Sequence, residues 1–450
     1  MLRGFMKISD TRDRATIFAL TKLGFLYFCI HSLMLIYDSY YPDVFLFGDR
    51  SEQRWQKVEG ILHHQGDFWA TLVKNADPGD YLYQAFIYAL SGRFGLVLFQ
   101  VVLGFGTVVC TVYLARYLGL SDRTARLAGL VMILMPGSLW QPHTLVTEAI
   151  YNPVVACAAL LLVRFMLDPQ RSSATRYLYA GLLMVGLASS IRHQFSAFPF
   201  VLAAYFICRP ALRKMRFLLP ILPLSFLFAG AWTAIVFGHT GSLKAPPSDH
   251  DFGTNLYNRI ARVAEIDQFR LGTLETAEGR ISIAQFGSYV AAHPTAYLRT
   301  LATDGANLLL NPGSIIVLTR YLPFGPKAED SNLWTNLRDR ANFREVLESV
   351  FEFGVAFVAS ILVMEVIWLA CLLFAALGAI QFFSAPQDRD SRLFLLILLV
   401  YSLSVLFASG SIRWQHRTPV DFILGLLVAA GIAAVSARWS GRRSARPRET

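Results

Sequence analysis

Charged residues are scarce in this 450-residue chain, 16% of it against 54% for the hydrophobic types. A soluble domain carries about a quarter, so a water-exposed globule is excluded as the main body. Cysteine is scarce too. Cys29, Cys110, Cys157, Cys208 and Cys371 lie in or beside apolar runs and form no CxxC pair, which argues against a disulfide framework or a thiolate metal site. The polar loops hold no Asn-x-Ser/Thr sequon, so glycosylation of this chain is not expected. No Gly-rich strand-to-helix turn of the nucleotide-binding kind is present. The net charge is +10, but its cations cluster in short loops and at the C-terminus. No basic patch is interleaved with stacking aromatics, which excludes nucleic acid as a partner.

What is abundant is apolar run after apolar run. A lipid-embedded chain has to satisfy its own backbone polar groups, and helices do so. The expected fold is an all-α polytopic membrane protein of about ten spans, two of them short and paired. Span 1 covers Ala15–Tyr37 and lacks a small-residue cleavage site, so it is read as retained. A polar first loop, 38–91, follows. In it Glu52–His64 places Trp55, Val58 and Ile61 at helical spacing, as in a helix lying in the headgroup plane. Pro78-Gly79-Asp80 breaks the chain before an aromatic-rich helix over Tyr81–Leu90. Further spans are read at Phe94–Leu118, Leu127–Leu139, Ala149–Leu167, the short pair Tyr177–Ile191 and Phe195–Cys208, and Phe217–Phe237. Thus 1–237 forms an N-terminal membrane module with its first loop, and 238–351 a larger polar helical domain. The C-terminal spans lie in 352–437, at Phe353–Phe383, Leu393–Ser409 and Val420–Val435, and 438–450 is a basic tail expected to be disordered.

Lys and Arg recur in alternate connections: Arg3 to Arg14, Arg116 to Arg126, Arg164 to Arg176, Arg209 to Arg216, Arg389 and Arg392, and the tail. Trp140–Thr147 has none. By the positive-inside rule both termini are cytoplasmic and both large polar regions lie outside. Arg192, Arg413 and Arg417 break that rule, being cations in short outer connections. An Arg at membrane depth marks a function or a paired partner.

The outer face therefore gathers acids (Asp49, Glu52, Asp80, Glu148), cations (Lys57, Arg192, Arg413, Arg417) and histidines including His143, His193 and His416. Guanidinium groups bind phosphate oxygens in a fork, and a carboxylate can take a proton from an attacking hydroxyl or amine. Such a mixture suits an amphipathic substrate with a phosphate head. Each residue also has a plainer use. Asp49 stands where it could cap the following helix, Asp80 likewise, Glu148 can pair with an Arg across spans, and the histidines can be hydrogen-bonded structural groups. Trp55, Tyr81 and Tyr83 fit an interfacial aromatic belt.

Four local stretches carry a resemblance. Phe47-Gly48-Asp49-Arg50 follows the first span; Gly79-Asp80-Tyr81-Leu82-Tyr83 runs into Leu90-Ser91-Gly92-Arg93-Phe94-Gly95; Gly186 to Arg192 ends one short span; and Arg413-Trp414-Gln415-His416-Arg417-Thr418-Pro419 opens the last. The order resembles the GT-C glycosyltransferases, and among them the dolichyl-phosphate-mannose protein mannosyltransferase and aminoarabinose lipid A transferase group. Ala292-His293-Pro294-Thr295-Ala296-Tyr297 is similar to a segment of bacterial members. The resemblance implies a sugar moved from a polyprenyl-phosphate donor to an outer-face lipid, glycan or protein. It implies catalysis by Asp49 with Glu52, and a donor phosphate and lipid held by Lys57, Arg192, Arg413, His416 and Arg417. Asp80, Tyr83, His143, Glu148 and His193 would serve the acceptor or support the site. No cofactor is required; a divalent cation is compatible, though no ligand cluster has metal-site spacing. The setting implied is a bacterial inner membrane. The alternatives are a polymerase or ligase of lipid-linked glycans, or a lipid or oligosaccharide flippase. A flippase would place charge at mid-membrane and show related halves.

Overall fold

The computed structural model describes residues 11–40, 49–63, 78–169, 174–209, 223–241, 252–267, 280–313, 317, 321, 355–385, 388–404, 407 and 417–444. All regular structure among them is helical. In chain order the helices are α1 (Thr11–Tyr40), α2 (Asp49–Leu62), α3 (Pro78–Tyr117), α4 (Asp122–Leu134), α5 (Pro136–Trp140), α6 (Glu148–Leu167), α7 (Ala174–Ile191) and α8 (Phe198–Cys208). They continue with α9 (Leu227–Thr240), α10 (Phe252–Asp267), α11 (Ile283–Ala292), α12 (Pro294–Leu310), α13 (Val355–Ser384), α14 (Arg389–Leu403) and α15 (Asp421–Ser444).

Among the described residues five helical runs are long and apolar enough to cross a bilayer: Ala15–Tyr40, Gly79–Tyr117, Glu148–Leu167, Ala359–Ser384 and Thr418–Trp439. The chain is a multi-pass membrane protein, but length and composition do not reproduce the expected ten crossings. Parts of the expected spans Phe217–Phe237 and Leu393–Ser409 lie outside the described residues, and others are shorter than expected for local reasons. Pro136 has no backbone N–H to continue α4, so that helix stops at Leu134 and a new turn starts. The paired short spans are separated by a 3-10 turn, His193–Phe195, which leaves α8 only 11 residues.

Within α3 the aromatic-rich helix and the span after it meet at a kink, where Gly92 is non-helical with φ 65° and ψ −170°, beside the break expected near Ser91; glycine tolerates that positive φ. One boundary differs from expectation. At the other end of the chain α15 continues through Ser444, so the tail expected to be disordered from Arg438 is helical there. Three of the seven residues there are arginine, a good helix former.

The main core is an apolar cluster joining α1, α2, α3, α4, α6, α7, α8, α13, α14 and α15. Helix exteriors are apolar as well: Leu362, Val366, Leu373 and Ile380 on α13 are exposed, as expected of a face that meets lipid. α13 and α15 cross at a glycine contact. A Cβ on Gly378 would lie 1.9 Å from the Leu427 carbonyl oxygen, and one on Gly431 2.0 Å from that of Phe374. Small residues let membrane helices approach this closely. Gly378→Leu is expected to force the pair apart and to destabilise the fold by about 1–3 kcal/mol, read as a lower melting temperature in detergent.

A smaller cluster holds the polar domain. Leu256, Ile260 and Val263 of α10 pack on Tyr289, Ala296 and Tyr297. Ser282 and Gln285 form a capping box at the start of α11. Arg259 and Asp304 form a fully buried ion pair between α10 and α12. Burial pushes the Tyr297 phenol up, against the opposing pull of Arg259, and its hydroxyl donates to the Phe407 carbonyl at 2.6 Å.

Candidate active site

The two ends of the bundle are built differently. At one end cations close helix ends: Arg392 donates to the carbonyls of Phe382 (2.6 Å) and Leu118 (2.8 Å), and Arg209 lies 3.6 Å from Asp390. This is the end that the basic connections predict to be cytoplasmic. The opposite end collects acids, amides and histidines from six segments.

Asp80, in the first turn of α3, is fully buried. It is ion-paired with Arg54 of α2, and accepts from the Thr147 hydroxyl (2.9 Å) and the Gln84 amide (3.0 Å). A desolvated carboxylate needs such donors. The knot ties α2 to α3 and to the start of α6, while Val58 and Ile61 of α2 bury into the main core. Asp80 is thus a brace rather than a helix cap. Tyr81 is buried too, with Arg54 and Lys57 over its ring at 5.6 and 5.3 Å, which differs from the interfacial belt expected for it. Trp55 meets the Tyr88 ring edge-on at 4.8 Å.

Glu148 follows Thr147 as the first residue of α6. Its Oε1 lies 3.0 Å from Nη1 of Arg192, which stands just beyond α7 with its guanidinium 5.7 Å over the Tyr151 ring. Tyr83 donates to the amide oxygen of Gln100 at 3.0 Å, and the Gln100 nitrogen donates to the Pro142 carbonyl at 2.8 Å. His143 sits in a buried relay. Its Nδ1 is 2.7 Å from Asp38 Oδ2, and its Nε2 is 2.8 Å from Nδ1 of His31, whose ring stacks on it with centroids 5.0 Å apart. Beside them Gln141, Asn152 and Thr418 hydrogen-bond one another at 2.9–3.3 Å. They line, with Glu148 and Asp421, a cavity of about 20 Å³, room for one water.

Arg417 is 1% exposed. Its Nε donates to Asp421 at 2.9 Å, and its Nη1 donates to the carbonyls of Leu308 (2.7 Å), Asn311 (3.2 Å) and Leu309 (3.3 Å), the last turn of α12. Its guanidinium lies 4.4 Å over the Trp368 ring. Three peptide carbonyls and a carboxylate already use the fork expected to hold phosphate.

Asp49 opens α2 and Glu52 lies in its first turn, but their side chains lie outside the described residues, as does that of His193. Arg413 and His416 lie wholly outside them. Of the expected site residues, then, Lys57, Asp80, Tyr83, His143, Glu148, Arg192 and Arg417 come to the same end of the bundle. Sequence reading passed over Asp38, His31, Arg54, Thr147, Gln141 and Asn152. One signal was available: His31 and Asp38 are seven residues apart on α1, two turns along one face.

An apolar groove of about 360 Å³ runs between α8 and α14, lined by Val201, Leu396, Ile397, Val400 and Tyr401. The Tyr401 hydroxyl donates to the Gln194 carbonyl at 2.7 Å, and the Gln194 amide donates to that of Ser402 at 3.1 Å. The groove wall is therefore fastened to the turn that carries Arg192. Among the described residues no group of three or more His, Cys, Asp or Glu is arranged to hold a metal ion.

No protein-family model matches the chain, and no curated protein matches it. Solved structures do. An oligosaccharyltransferase from Archaeoglobus fulgidus in its apo form is similar with 13% identity and a TM-score of 0.45, over 89% of this chain and 48% of that one. Its counterpart in complex with an inhibitory peptide and a dolichol-phosphate gives 11% identity and a TM-score of 0.44, over 95% and 53%. The chain thus spans about half the length of these enzymes. ArnT from Cupriavidus metallidurans bound to undecaprenyl phosphate is similar at 14% identity and a TM-score of 0.40, over 93% of this chain and 79% of that one.

Proposed function

We propose that the protein is a membrane glycosyltransferase of the GT-C kind, moving a sugar from a polyprenyl-phosphate donor to an acceptor on the outer face. The observation that carries this reading is a juxtaposition. The turn holding Arg192, with a guanidinium only partly buried, is fastened to an apolar groove between two membrane helices. A long prenyl chain needs the groove and its phosphate needs the cation. The acids sit alongside: the Asp80 knot fixes α2, which starts at Asp49, against the strand of contacts that ends at Arg192.

In this reading Asp49 accepts the proton of the acceptor nucleophile and Glu52 supports it. Arg192, with Lys57, Arg413 and His416, stabilises the phosphate as it leaves. Tyr83, His143 and His193 hold the walls. Both termini lie in the cytoplasm and the site opens outward, in a bacterial inner membrane.

The test is binding of farnesyl phosphate, a soluble short-chain probe, to the purified protein in detergent. Wild type is expected to bind it, and Arg192→Ala to raise Kd by about tenfold or more, as the loss of a charge-assisted pair implies. No binding by the wild type, or equal affinity in the variant, would remove the phosphate site from this turn. Transfer from a radiolabelled polyprenyl-phosphate sugar then separates a transferase from a flippase, which would move the lipid and leave its sugar bond intact.

A further inference from the structure

Among the described arginines that hold carboxylates at this end of the bundle, Arg54 serves the buried Asp80, and Arg417 and Arg192 hold theirs differently. Arg417 is buried and also bonded to three peptide carbonyls, so releasing Asp421 would strand a charge. Arg192 and Glu148 keep 15% and 10% of their side chains exposed. Each has somewhere to go when the other leaves. Arg192 retains the face of Tyr151. Glu148 is the first residue of a 20-residue helix whose N-cap, Thr147, is itself αR and makes no side-chain capping bond, its hydroxyl donating to Asp80. A negative charge at a helix N-terminus is favourable in itself, and Glu148 also lines the small polar cavity with Gln141 and Asn152.

We propose that Glu148 is an internal counter-ion that occupies Arg192 in the empty enzyme, is displaced by the incoming lipid phosphate, and returns to expel the product lipid. The inference rests on the phosphate reading above and adds to it a device for release. The product of transfer, a polyprenyl phosphate, carries the same head on the same tail as the donor but without its sugar. Its phosphate has gained a charge, so a site of bare cations would retain it. A carboxylate within reach of the same guanidinium competes with it directly, and no covalent step is involved. Glu148 is thus a positioning residue acting through Arg192.

The experiment titrates farnesyl phosphate into wild type, Glu148→Gln and Glu148→Asp, with melting curves on each. Removing the competing charge is expected to lower Kd by about fivefold or more in Glu148→Gln, the scale of a solvent-accessible ion pair. Glu148→Asp keeps the charge but draws it back by one methylene, so its Kd is expected between those of Gln and wild type; it serves if the Gln variant does not fold. In turnover, added farnesyl phosphate is expected to inhibit Glu148→Gln at correspondingly lower concentration, a product effect that a mere brace would not produce. If wild type binds, Arg192→Ala weakens it, and neither Glu148 variant tightens it, the exchange is wrong while the phosphate site stands. If wild type does not bind, both fall together.

Discussion

Asp49→Asn is expected to lower the rate of sugar transfer by about 10²–10⁴-fold, the usual contribution of a positioned general base, without lowering the melting temperature. The chemistry sets the size. In the proposed reaction the acceptor's hydroxyl or amine would attack the anomeric carbon, the carbon–oxygen bond to phosphate would break, and its electron pair would leave on the polyprenyl phosphate. The proton lost by the acceptor needs a base at that moment. The alternative use of Asp49, as the cap of α2, predicts something else. Asparagine caps a helix as well as aspartate does, so the substitution keeps the cap and removes the base. Single-turnover transfer from a radiolabelled polyprenyl-phosphate sugar, run beside a melting curve, reads both. Wild-type rates in Asp49→Asn would leave α2 as scaffold and move the search for a base to Glu52, three residues on in the same first turn.

The sequence carried the membrane character because apolar runs are a one-dimensional property that survives any packing. Helix breaks were legible at Pro136, which has no N–H to continue a helix, and beside Gly92, which takes a positive φ; the division at His293-Pro294 between α11 and α12 was passed over. At the site, residue types were legible but partners were not. Arg192, Glu148 and Arg417 stood out as ionic groups at membrane depth. Whether such a group faces a ligand or a carbonyl depends on contacts distant in sequence, as from Arg417 to Leu308, 109 positions away. Arg54 was passed over because the anion that draws it in, Asp80, belongs to a separate helix. His31 looked like an ordinary residue of span 1 for the same reason, its partner His143 being 112 positions away.

Arg417→Ala is expected to destabilise the protein by about 3–5 kcal/mol, the cost of breaking a buried ion pair from one side. The substitution leaves Asp421, itself buried, without its guanidinium. It also strips a donor from the last carbonyls of α12, which have no partner within their own helix. Trp368 loses the cation over its ring, though its indole N–H still donates to the Leu309 carbonyl at 2.8 Å. These contacts join α12 to α13 and α15, so the expected result is loss of that joint rather than a local defect. Arg417→Lys is expected to recover less than half of the loss, because a single ammonium on a flexible stem cannot serve a carboxylate on one side and a helix end on the other. Thermal unfolding in detergent measures both variants. The farnesyl phosphate titration decides between the two uses of this residue: a cap predicts that whatever fraction remains folded binds with wild-type affinity. A phosphate ligand predicts the reverse, an unchanged melting temperature with weakened binding. That second outcome would require Arg417 to leave three carbonyls and a carboxylate each time a lipid arrives, with nothing in the fold to take its place.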